Sequence, residues 1–205
     1  MAQAVTGLRD KHMSGEIVNR ISNSPIVTFK LEHYHAPGER VQIDIKDQLF
    51  QGLILRERDF RGWVKEHDWS QYQGAHVAIY CSTDAIIQVW AYMLLAAKLQ
   101  PFAETVVFGT LEELETQLFR QALDQLDFSQ FEGKPVVVKG CSDIQIPAGV
   151  YVEAMRRLLP FAKKLSYGEP CSTVPLYKRP DAKTTVQSAD TGQKKPKLRP
   201  NPGLK

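Results

Sequence analysis

The chain carries one stretch of fifty residues twice. Aligned without gaps at a fixed offset of 59, residues 60–109 and 119–168 are identical at 15 of 50 positions. "FR" recurs at Phe60-Arg61 and Phe119-Arg120, "SQYQG" answers "SQFEG", and "PFA" at 101–103 answers "PFA" at 160–162. An internal repeat constrains the fold more than any local motif does, because each copy must solve the same packing problem.

Each copy has the same readable plan. A helical pattern over "RERDFRGWVKEHDW" or "EELETQLFRQALDQLDF" leads to a turn at Gly74 or Gly133. A short β-branched strand follows, "HVAIY" or "PVVVK", then a Cys-Ser loop, an apolar helix ending near Pro101 or Pro160, and a second strand, "TVVFG" or "KLSYG". Strands alternating with helices of this length predict an α/β fold: a mostly parallel sheet built from a duplicated β-α-β-α unit, with helices on both faces. Upstream, "SPIVTFKLEHY" and "ERVQIDI" predict an N-terminal antiparallel strand pair joined at "HAPGE".

Composition sets the boundaries. The net charge of +3 hides an uneven distribution, since Lys178–Lys205 holds eight basic and two acidic residues, leaving −3 on the rest of the chain. With four prolines and no aromatic, this stretch reads as a basic disordered tail. Residues 14–177 then form a single α/β domain, and residues 1–13 an N-terminal extension expected to be disordered. The tail's "KKPKLR" allows weak contact with nucleic acid or another polyanion. The body has no basic patch with interleaved aromatics, which argues against a nucleic-acid protein. The most apolar run, "AIIQVWAYMLLAAKL", is too short for a membrane span and suits a buried helix. With no apolar leader at its start, the chain is expected to be cytoplasmic.

Three cysteines carry the strongest chemical signal. Cys81 and Cys141 each follow a predicted strand and precede a helix; Cys171 follows "KLSYG". The carboxyl ends of parallel strands are where α/β sheets hold ligands, and helix N-termini there stabilise thiolates. If the strands are parallel and adjacent, three thiols leave one sheet edge and form a metal site. Three thiolates suit an iron–sulfur cluster with one open iron, whereas a structural zinc site asks for a fourth ligand and is the runner-up. His67 and His76 precede their strands and belong at the opposite edge. Ser82, Asp84, Ser142, Asp143 and Ser172 are expected around the thiols, as hydrogen-bond donors to the site or as caps of the following helices. "HYH" places His33 and His35 on one face of a strand, a metal pair only if a third ligand is near. Other readings stay open: small buried apolar cysteines, or one reactive, persulfide-carrying thiol. No phosphate-binding loop, nucleophile elbow or zinc-protease motif occurs, and no acid–base constellation names a reaction.

Four stretches carry a family resemblance: "GEIVNRISNSPIVTFKLEHY", "DQLFQGLILRERDFRGWVKEHDWSQYQG", "VVVKGCS" and "GEPCSTVPLYKRP". Through them the chain resembles the uncharacterised bacterial family termed domain of unknown function 2480, over about residues 14–180. The resemblance supplies no activity. It implies a place beside the sulfur-mobilisation machinery, with iron–sulfur assembly proteins as partners. The primary expectation is therefore an accessory protein of iron–sulfur metabolism holding a metal or cluster through Cys81, Cys141 and Cys171. The alternative is a non-enzymatic binding or scaffold module with buried structural cysteines.

Overall fold

A computed structural model describes residues 25–139, 143–169 and 172–180. Over these residues the chain is mixed α/β, with four α-helices and two mostly parallel sheets. Strands β2 (Arg40–Asp44), β3 (His76–Tyr80) and β4 (Thr105–Phe108) form a parallel sheet in the order β2-β3-β4. The second sheet runs β1-β5-β6-β7, with β1 (Val27–Phe29), β5 (Pro135–Val138) and β6 (Lys164–Glu169) parallel and β7 (Ser172–Lys178) antiparallel to β6.

Each half runs helix, 3-10 turn, strand, helix, strand. The first half contains α1 (Glu57–Glu66), the turn Trp69–Tyr72, β3, α2 (Val89–Leu99) and β4. The second contains α3 (Leu111–Asp124), the turn Phe128–Phe131, β5, α4 (Ala148–Leu158) and β6. The residues that recur in sequence make the same bonds in each half. Asp68 accepts from the Ser70 amide at 3.0 Å, and Asp127 from the Ser129 amide at 2.9 Å. The Gln71 and Gln130 side-chain amides donate to the carbonyls of those aspartates at 2.6 and 2.8 Å. Gly74 and Gly133, at φ 71° and 68°, turn the chain in a left-handed conformation that glycine adopts without strain. Their amides donate to Phe102 and Phe161 at 2.8 and 3.0 Å, which ties each turn to its "PFA" segment. The repeated "DxSQ" and "PFA" residues thus hold the scaffold.

Two expectations need correction. The N-terminal strands do not pair with each other. β1 lies parallel on β5, with Val27 opposite Val136, and β2 lies parallel on β3, with Val41 opposite Val77. Nor is there one sheet, because α3 separates the halves. Its Leu114 and Leu118 pack on Ala78 of the first sheet, while Phe119 and Leu123 enter the second core beside Phe29, Val136 and Leu158. A helix with two apolar faces must bury both, so β4 and β5 end up in different sheets. The first core is built on Val77, Ile79, Phe60, Leu95 and Leu99, all no more than 2% exposed. A Thr110–Glu113 capping box starts α3, each side chain bonding the other residue's backbone amide.

Candidate functional site

The carboxyl edge of the first sheet is where the described residues concentrate unusual chemistry. β2 ends on Asp44, and Cys81 follows β3. Asp44 accepts hydrogen bonds from the amides of Ser82 and Lys46, both at 3.1 Å, and its other oxygen lies 3.3 Å from Lys46 Nζ. Burial pushes the Asp44 carboxyl up, but the bonds from Ser82 and Lys46 outweigh it and hold the group at about 2. Cys81 is half-buried, with Sγ 3.3 Å from Thr83 Oγ1, and it packs against the first core. The Tyr92 phenol is pushed up by burial, then by the neighbouring Cys81 and Asp44.

An apolar rim surrounds this edge. Ile54 forms a parallel bridge with Ile86, and Phe108 packs edge-on to Tyr92 with ring centroids 4.8 Å apart. Ile86 is 89% exposed, and Val89, Phe108 and Met93 are each about two-thirds exposed. These side chains went unread in the sequence because an apolar run reads as core. At the matching positions of the second half, Ile86, Val89, Met93 and Phe108 are answered by Gln145, Ala148, Val152 and Tyr167, of which Val152 is also 71% exposed.

The fates of the expected site residues differ. Cys81 belongs to the first sheet, whereas Cys141 follows β5 and Cys171 follows β6 in the second, so the three do not follow strands of one sheet. Cys141, Ser142 and Cys171 themselves lie outside the described residues. Ser82 bonds Asp44 through its amide. Asp84 and Asp143 are not helix caps: α2 begins at Val89 and α4 at Ala148, each after a further loop, and neither helix has a side-chain cap. Ser172 opens β7 opposite Glu169. His33 lies in a 3-10 turn and His35 at its end, not on a strand. His76 begins β3, at the end opposite Cys81, and its Nε2–H donates to the Pro37 carbonyl at 2.8 Å. His67 caps the end of α1, 3.0 Å from the Tyr72 hydroxyl and flanked by Trp63 and Trp69. Among the described residues no group of three or more His, Cys, Asp or Glu side chains is placed to hold a metal ion.

A cavity of about 410 Å³ opens between the halves, lined by His35, Arg40, Glu115 and Gln145 among others. Arg40, Glu115 and His35 are already committed to one another. Arg40 pairs with Glu115 and donates to the Gly38 carbonyl at 2.6 Å and the Ala36 carbonyl at 2.7 Å. His35 Nε2 lies 3.0 Å from the same guanidinium. This is a clasp between α3 and the segment that joins the two sheets, with its donors spent.

Among the described residues no helix is long and apolar enough to cross a membrane. Neither a curated protein nor a solved structure matches the chain. A family model does match, over residues 15–179, and the chain belongs to that family, described as a protein of unknown function (DUF2480).

Proposed function

We propose that this chain is a non-enzymatic binding module, docking protein through the apolar carboxyl edge of its first half. The observation that carries this reading is the run of exposed side chains Ile54, Ile86, Val89, Met93 and Phe108, each at least 59% exposed. On a soluble chain, an exposed apolar surface of more than a few hundred Å² marks an interaction site. The reading takes the two halves as copies of one duplicated unit. The helix of the second carries an ion-paired cluster, Glu153 with Arg156 and Arg157, where that of the first has Leu94, Ala97 and Lys98. A photo-crosslinking residue at position 93 in living cells tests this. Crosslinks to a polypeptide from position 93, with none from exposed Lys134 in the other half, are expected. Equal or absent crosslinking at both positions overturns it.

One observation favours a second reading, a thiolate metal site in the second half. Cys141 comes three residues after β5 and Cys171 two after β6, and these strands are parallel neighbours. Glu169, the last residue of β6, has a buried Oε1 with no hydrogen-bond partner. Nearby, Lys139 pairs with Glu32 at 2.8 Å and feels the charges of Glu169 and Asp143. Two thiolates and a carboxylate suit zinc, or an iron–sulfur cluster received from assembly proteins in the cytoplasm, with Cys81 left out of the ligand set. Anaerobic purification with iron, zinc and sulfide analysis tests it: bound metal should be lost in Cys141→Ser and kept in Cys81→Ser. A metal-free protein after reconstitution rules it out.

A further inference from the structure

The two faces of the second sheet are covered unequally. Val136, Val138 and Leu165 lie in the second core with side chains of α3 and α4. Val137 alternates to the other face, flanked in register by Thr28 of β1 and Ser166 of β6. Both neighbours are small and polar. Among the described residues Val137 joins none of the core clusters, yet it is only 4% exposed. In the first sheet the matching residue, Ala78, stands 59 positions earlier and is buried with Leu114 and Leu118 of α3. A parallel sheet is covered on both faces, and no helix among the described residues does for Val137 what α3 does for Ala78. Beside Val137 runs a groove of about 630 Å³, lined also by Pro25, Ile26, Pro135, Lys164, Ser166 and Thr173.

We propose that residues 15–24 of this chain occupy the groove and cover Val137. Pro25 and Ile26 line the groove themselves, so the residues before them start at its rim. The segment belongs to the family domain, whose match begins at residue 15. Its apolar residues, Ile17, Val18 and Ile21, have the spacing that places side chains on one face of a helix. Even at the helical rise, the eight steps from Ile17 to Pro25 span about 12 Å. That is enough to cross from β1 to β6, two strand spacings or roughly 10 Å away. The other end of the chain is the poorer occupant. Residues 181–205 lie beyond the family match and hold six basic residues against two acidic. They would bring that charge onto Lys163 and Lys164, both exposed at the groove. In residues 15–24, Glu16 and Arg20 balance.

The test places a photo-crosslinking residue at Lys164, in the groove, of the otherwise unchanged full chain. A second protein carries it at exposed Lys65 on α1 as the control. After illumination of the purified proteins, peptide mass spectrometry maps the bonds formed. Bonds within one chain from position 164 to residues 15–24, and none to them from position 65, are expected. Ile17→Asp with Ile21→Asp removes two apolar side chains from the contact, which should weaken docking on the order of 100-fold and strip away that crosslink. Asn19→Asp with Asn23→Asp adds the same charge on the other side of the stretch and should leave the crosslink in place. Bonds from position 164 to residues 181–205, to a second molecule, or to no segment at all overturn the proposal. So does a crosslink of equal yield in the Ile17→Asp, Ile21→Asp protein. The groove belongs to the second half, so none of these outcomes bears on the docking face of the first.

Discussion

Replacing Arg40 by Met tests how the two halves are held together. The Arg40 and Glu115 side chains are only 15% and 18% exposed, and the guanidinium also satisfies the carbonyls of Ala36 and Gly38. Arg40→Met leaves the Glu115 carboxylate largely desolvated, with His35 at 3.8 Å as its remaining basic neighbour. Removing one partner of a fully buried pair costs 3–5 kcal/mol; with about a sixth of each side chain still in water, about 2–4 kcal/mol is expected here. For a domain of this size that lowers Tm by roughly 5–15 °C. Arg40→Met with Glu115→Leu removes the stranded charge, so the double variant should be more stable than Arg40→Met alone, with a coupling energy above about 1 kcal/mol. Urea denaturation of the four proteins measures it. A single-variant cost below about 0.5 kcal/mol, or simple additivity, would refute the clasp.

Two further outcomes follow from local chemistry. Asp44 is held at about 2 in the fold against 3.8 when free, so its contribution is complete above pH 3.8 and disappears as pH falls through 2. Asp44→Asn should therefore cost about 1–2 kcal/mol at neutral pH, and acid titration of both proteins should show the gap closing between those values. Gly168 sits at φ 122°, and a Cβ there would lie 2.6 Å from the Ser172 carbonyl oxygen. Gly168→Ala should cost about 2–3 kcal/mol in thermal or chemical melts, more than Gly74→Ala, where the space is open.

Much of the architecture was legible because the repeat constrains local structure. The helices, the glycine turns and the parallel strand pairs of each half lie where "FR", "SQxxG" and "PFA" recur. The sharing of strands between sheets was harder to read, because a repeat states how each half folds and not which half a preceding strand joins. One clue was present: "VTFKLEHY" from Val27 and "VQIDIKDQ" from Val41 share an apolar pattern fourteen residues apart. Phe29 and Leu31 match Ile43 and Ile45, and each pair is buried in a different core. Such an echo signals one strand for each half, not a hairpin. The cysteines do not share a sheet because α3, with apolar residues on two faces, packs between the two halves and leaves each with its own sheet. The exposed side of α2 was hidden for the opposite reason: a helix apolar all round reads as interior whether its cover comes from its own chain or from another molecule.

The most direct measurement is hydroxyl-radical labelling of Met93 in intact cells, comparing the wild type with Val89→Glu. Met93 is 66% exposed in the isolated chain, and a thioether in open contact with solvent oxidises readily. A covered face predicts a Met93 protected in the wild type and oxidised many-fold faster in the variant. The same rapid oxidation in both proteins would mean that nothing sits on α2, and the docking account would fail.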